Sequence, residues 1–402
     1  MSTNGAGLLS QPVERAPVIM EQAACSRRRL LAAAAAIAAG GFARSSLGAG
    51  NANEIVLGMS LPLTGVLGST AQGFREGTRI AFEDMNVAGG VHGRKIRVEL
   101  MDDRFDRDLV VRNAKAMLDQ GVLCLFGFMG TPGILAVSAL VNERQVPLIG
   151  AVSGAPATKD PKNKFVFIVR TSFSKEAENA VNVGVITGMK VWGVVYQDDG
   201  QGKAALAGVQ TGLARHQLKT SIEAAFPPAA SPDFGDALAR IQSSQLGALV
   251  FGGSAPALAA LISQAKSKGI KLPVTTVLSV VSPDAAIAML GDDAIGLRFT
   301  QPVPYPFSVR PGASAEYLGA VGRHSSEPPS FIGMEGFLSA RLMIKALQMT
   351  PSLQRTSLVA SLESMSNYPL TNDFRVTFGP ADRSGASYVD TMIVGHGRRI
   401  IL

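Results

Sequence analysis

The stretch Asn86-Val87-Ala88-Gly89-Gly90-Val91-His92-Gly93-Arg94-Lys95-Ile96 reads as the end of a helix, a glycine turn and the start of a strand. Paired glycines supply the left-handed backbone that ends a helix and turns the chain. Upstream, 72–87 carries Phe74, Gly77, Ile80, Ala81 and Met85 at helical spacing, with Arg75, Glu76, Arg79 and Glu83 elsewhere on the surface. Strand-like runs flank this helix at 55–60 and 95–101. One helix between two such strands is a parallel βα unit.

The same alternation continues outward. Further strands are expected at 122–127, 147–150, 165–169, 191–196, 221–226, 248–252, 274–278 and 297–301. Helices are expected at 107–120, 133–143, 175–188, 203–215, 234–243 and 256–268. After the proline-rich 302–311 come helices near 313–323, 331–349 and 356–364, then β structure at 374–378, 387–394 and 399–402. Two similar βα blocks, 55–150 and 190–280, predict two lobes of like topology. A chain of 402 residues exceeds one ordinary core, and 47% hydrophobic against 17% charged residues excludes a disordered chain.

The N-terminus reads as an address. Ser26-Arg27-Arg28-Arg29-Leu30-Leu31 opens a 12-residue apolar run, 30–41, too short to span a bilayer and without a second such run later. This arrangement resembles a twin-arginine export signal, with Sec export the alternative, and cleavage is expected near Ala52 or at Ala49. Met20 offers a shorter leader than Met1. Residues 1–52 hold five Arg and two Glu, a net of +3, which leaves +4 of the chain's +7. Those charges are dispersed, so nucleic acid is not an expected partner. Cys25 precedes the apolar run and leaves with it; Cys124 sits inside the apolar 122–126 and reads as a buried structural thiol.

In order along the chain stand Gly58-Met59-Ser60-Leu61-Pro62-Leu63-Thr64-Gly65, the glycine turn quoted above, Asp102-Asp103 with Asp106, Gly127-Phe128-Met129-Gly130-Thr131, Val146-Pro147-Leu148-Ile149 and Tyr196-Gln197-Asp198-Asp199-Gly200-Gln201-Gly202. Together they resemble the branched-chain amino acid (Leu/Ile/Val) binding proteins of ABC importers, over about residues 53–395. The resemblance implies a type I periplasmic binding fold: two doubly wound α/β lobes with parallel sheets, joined by three crossovers. Lobe 1 is expected at 53–171 and 302–371, and lobe 2 at 172–301 and 372–402. It further implies a periplasmic location, a small-molecule ligand, a membrane permease as partner, no catalysis and no cofactor.

Open α/β sheets bind ligands at the carboxyl ends of their strands, where helix N-termini present free N–H groups. Gly130-Thr131-Pro132 lies between a strand and a helix, and by resemblance Thr131 and adjacent N–H groups hold the ligand carboxylate. Val152, Ser153 and Gly154 cover the next contact, and Thr70 in the first βα loop stands where relatives carry an aromatic wall. In lobe 2, Gln201 and Ser254 replace frequent aromatic residues, and Leu278 aligns near the acidic partner of a ligand ammonium. A buried ammonium needs such a partner, so the ligand is expected to be either an amino acid or an aromatic or aliphatic acid without an α-amino group. The family's first-lobe disulfide has no counterpart, its positions being Phe105 and Gly130.

Other motifs fail on spacing. Asp102, Asp103 and Asp106 fit helix capping better than a metal site. Gly200-Gln201-Gly202-Lys203 lacks the phosphate-loop spacing, and Gly252-Gly253-Ser254-Ala255-Pro256 lacks the closing glycine of a nucleophile elbow. His92, His216, His324 and His396 share no ligand spacing. Arg170-Thr171-Ser172 marks the first crossover and reads as hinge. A sensor of the same fold and an exported α/β enzyme are the rival readings.

Overall fold

The structure is a computed structural model and describes residues 53–402 apart from Val66 and Ala230. The expected export segment, with Cys25, lies outside the described residues.

Strand β1 (Glu54–Leu61) leads to helix α1 (Gly68–Val87), and the glycine turn delivers the chain to β2 (Lys95–Asp102). Gly89 and Gly90 adopt φ of +103° and +77°. A Cβ on Gly90 would run into the Arg94 carbonyl, so the turn closes only with glycine. Asn86 pins the two elements together. Its side chain accepts from the Ile96 N–H at 2.7 Å and donates to the Ile96 carbonyl at 2.8 Å, standing in for a neighbouring strand.

Helix α2 (Arg107–Asp119), β3 (Cys124–Phe126), α3 (Thr131–Glu143), β4 (Leu148–Ile149) and β5 (Val166–Phe167) follow. They complete a parallel sheet in the order β2-β1-β3-β4-β5. Val110, Met117, Ile134 and Val137 from α2 and α3 cover one face, packing on Leu125 and Leu148. Cys124 is fully buried in the core on the opposite face, and its thiol is pushed up to about 12 by burial, which makes it inert.

The second sheet grows from α4 (Phe173–Ile186), β6 (Trp192–Gln197), α5 (Gly200–Arg215), β7 (Thr220–Phe226), α6 (Gly235–Ser243) and β8 (Ala248–Gly252). It continues through α7 (Ala255–Ser267), β9 (Val274–Val277), α8 (Pro283–Leu290) and β10 (Arg298–Gln301). Helix α8 went unread in the sequence; it is two turns long, and Ser282 caps it by accepting from the Ala285 N–H at 3.2 Å.

The chain then returns to the first sheet with α9 (Ala313–His324), α10 (Phe331–Met349) and α11 (Arg355–Glu363). Helices α1 and α10 touch backbone to backbone: a Cβ on Gly77 would strike the Gly333 carbonyl, and one on Gly336 the Phe74 carbonyl. A small antiparallel sheet follows, β11 (Tyr368–Pro369), β12 (Arg375–Gly379) and β13 (Asp382–Gly385). Finally β14 (Asp390–Val394) and β15 (Ile400–Ile401) join the second sheet as antiparallel strands in the order β15-β14-β10-β9-β8-β6-β7.

One boundary differs from expectation. Residues 372–402 were expected with the second lobe, yet Phe374, Val376, Phe378 and Ala386 bury in the core of the first. Alternating apolar residues told that 374–378 is a strand but not which core takes its buried face; the last crossing comes between β13 and β14.

Candidate functional site

Strands β1, β3 and β4 are parallel, so the loops after them share one edge of the first sheet. At that edge Gly130 adopts φ +95°, and its N–H donates to the Val152 carbonyl at 3.1 Å. The Val152 N–H donates to the Phe128 carbonyl at 2.7 Å, zipping the β3–α3 and β4 turns together. Across that zipper the Thr131 and Ser153 hydroxyls lie 2.8 Å apart, and Ser153 also accepts from the Ala155 N–H. Gly154 is packed so closely on Phe173 that a Cβ there would lie 2.7 Å from the ring. Five of the expected residues, Gly130, Thr131, Val152, Ser153 and Gly154, therefore form one cluster.

No side chain caps the first turn of α3, whereas Asp106 caps α2, Ser172 caps α4 and Asp199 caps α5. Helices α1 and α7 also start without a side-chain cap. Thr70 falls in the first turn of α1, rather than in the preceding loop where the sequence reading put it, because the helix begins at Gly68. Ser254 is the N-cap residue of α7, with its hydroxyl making no capping bond. Hydroxyl-bearing residues thus open three helices whose first N–H groups no side chain satisfies.

The other second-lobe residues are placed differently. Gln201 sits in the first turn of α5, its N–H bonded to Asp199 at 3.0 Å. Leu278 is 1% exposed and buried in the cluster of Ala155, Phe173 and Trp192, so its side chain faces core. Its neighbour Ser279 carries the polar atoms at that strand end.

The three aspartates organise the β2–α2 loop. Asp102 accepts from the Leu63 N–H, the Thr64 hydroxyl and the Arg104 N–H, while Asp106 accepts from the Asp108 and Leu109 N–H groups. Asp103 is buried and accepts from the Ser60 hydroxyl at 2.8 Å and the Phe105 N–H at 2.9 Å; burial raises its pKa, which those bonds partly offset. Arg104 and Phe105 are held at φ +53° and +61°. Such backbone costs an ordinary side chain about 1–2 kcal/mol per residue. The Phe105 ring packs on Gly130 so closely that a Cβ there would lie 2.4 Å from it, and no bridge joins the two positions.

A buried charged cluster stands where the chain first crosses between the sheets. The Arg170 guanidinium donates to the Ser279 hydroxyl and lies 3.7 Å from Glu176 and 3.6 Å from Glu335. Glu176, on α4, accepts from the Ser279 N–H at 2.9 Å, the Ser279 hydroxyl at 2.7 Å and the Thr300 hydroxyl at 2.8 Å. Glu335 is on α10, whose core is that of the first sheet, and its pKa is raised by burial, with Arg170 opposing. The Lys159 ammonium donates to the Arg170 carbonyl, and its pKa is lowered to about 7 by desolvation and then by the like charge of Arg170. Arg170 falls in the segment expected to be hinge, and its partners come from distant parts of the chain. A lone Glu335 inside the apolar 331–338 was the one available signal; Glu176 looked like an ordinary first-turn acid.

A profile of the family described as periplasmic binding protein matches residues 54–393. The chain belongs to the periplasmic binding proteins. It is similar to the leucine-, isoleucine-, valine-, threonine- and alanine-binding protein of Pseudomonas aeruginosa, 22% identical over 77% of this chain and 81% of that one. The Leu/Ile/Val-binding protein of Escherichia coli K12 is 22% identical over 57% of this chain and 62% of its own length. Among solved structures, a substrate-binding periplasmic protein from Ralstonia solanacearum superposes with a TM-score of 0.74 at 26% identity, covering 87% of this chain and 99% of that one. A fatty acid ABC transporter substrate-binding protein from Thermomonospora curvata shares the fold, with a TM-score of 0.73 at 21% identity over 87% of this chain and 91% of its own.

Proposed function

We propose that the chain is the exported substrate-binding protein of an ABC importer, which takes a small carboxylate between its lobes and presents the closed form to a membrane permease. The lobe division proposed is 53–171 with 302–386, and 172–301 with 387–402. The observation that carries the reading is the Thr131–Ser153 hydroxyl pair at the uncapped start of α3, aligned with the positive end of a 13-residue helix. A carboxylate there would be met by hydroxyl and N–H donors without a buried cation. Thr70, Gln201 and Ser254 are proposed as further polar contacts, with Val152, Gly154 and the Leu278 backbone completing the enclosure.

The ligand proposed is a carboxylate without an α-ammonium group. Support comes from the end of β9, where Leu278 faces core and the nearby carboxylate of Glu176 is already held by Ser279 and Thr300. Calorimetric titration of the purified chain with leucine and with phenylacetate tests this. Phenylacetate is expected to bind and leucine to bind weakly; tight leucine binding overturns the choice of ligand class.

A further inference from the structure

We propose that Phe105 is a specificity-determining wall of the ligand site, which selects carboxylates carrying an apolar, best an aromatic, group next to the carboxylate. This rests on the reading of the Thr131 turn given above. Three observations converge on it. First comes position: the loop after β2 and the turn after β3 lie at the same edge of a parallel sheet, and β1 runs between their strands. The Phe105 ring therefore reaches across the end of β1 to rest on Gly130, the residue before Thr131. Next comes exposure. Resting on Gly130 covers only part of the ring, and Phe105 remains 45% exposed. Finally there is the effort with which the ring is held. Phe105 stands in left-handed backbone, fixed by an N–H bond to the buried Asp103, whose neighbours Asp102 and Asp106 are tied to the same loop.

Burial alone gives a poor account of this arrangement. A side chain that served only the core would be covered, and a surface loop would relax to ordinary backbone or use glycine. A ring seated beside a carboxylate-binding turn, with part of its surface free, is what an apolar ligand group needs to pack against.

Titrations of the wild-type chain, Phe105→Gly and Phe105→Leu with phenylacetate, 4-methylpentanoate and propionate test the proposal. Phe105→Gly suits the left-handed backbone and so preserves the loop; Phe105→Leu keeps an apolar group without the ring. Phe105→Gly is expected to lose about tenfold or more in affinity for phenylacetate and little for propionate. Phe105→Leu is expected to retain 4-methylpentanoate binding while losing part of the preference for phenylacetate. Equal loss for all three acids, or no loss, overturns the wall and leaves a loop clamp. A wild-type chain that binds none of the acids overturns the carboxylate reading itself, and the wall with it.

Discussion

The Thr131 turn and the Arg170 cluster lie on the same side of the first sheet's strand ends and are built on opposite terms. The turn is neutral, partly exposed and leaves helix donors unsatisfied by side chains. The cluster is charged and closed: Arg170 is 6% exposed, Glu176 0% and Glu335 4%. Under the function proposed above, the turn takes its partner from solution. The cluster has its partners already, drawn from α4, α10, β10 and the loop after β9. The cluster's charges meet one another inside the fold, whereas the first N–H groups of α3 meet no capping side chain.

The contrast breaks most visibly at Arg170. Arg170→Met leaves two buried carboxylates without their shared cation, a loss of ~3–5 kcal/mol in denaturant unfolding. Adding Glu335→Gln is expected to recover part of it, because the uncompensated charge falls by one. A single-variant loss below about 1 kcal/mol would show that the cluster is not the closed unit described.

Lys159 sharpens the same point through pH. Its folded pKa of about 7 lies below the ordinary lysine value of 10.5, so between them the unfolded chain binds more protons. Stability is therefore expected to rise as pH climbs from 7 towards 10, by at most ~1.4 kcal/mol per unit from this group, and to lie flat below 7. Lys159→Met should remove that rise when the two chains are unfolded side by side across the range.

Thr131→Val gives the smallest change in folding and the clearest in binding. Affinity for a bound carboxylate is expected to fall about tenfold, equivalent to ~1.4 kcal/mol, with the melting temperature of the ligand-free chain nearly unchanged. A fall in stability as large as the fall in affinity would mean that the Thr131–Ser153 bond serves the fold.

Much of the architecture was readable because periodicity and punctuation are local. Strand β8 at 248–252 and helix α10 at 331–349 have the limits expected of them. That Gly130, Thr131 and Ser153 lie together was legible because glycine, proline and hydroxyl residues mark strand-to-helix junctions, and parallel strands bring those junctions to one edge. Helix α8 and strand β13 were missed: α8 spans two turns, and Asp382-Arg383-Ser384-Gly385 has no apolar alternation. The charged cluster was illegible for a different reason. Arg170, Glu176, Ser279, Thr300 and Glu335 are each unremarkable in their own segment, and only long-range packing brings them together. Leu278 shows the same limit, since a shift of one residue along a strand end exchanges a core side chain for a polar one.

The backbone contact between α1 and α10 bears on when the first lobe can fold. The His92 ring, just past the glycine turn, hydrogen-bonds the Leu347 carbonyl 255 residues later. The face of the first sheet that α1 begins to cover is thus completed by chain synthesised near the end. Pairings this distant form slowly. The polypeptide therefore spends most of its synthesis with that apolar face open, and closes it only when α10 arrives.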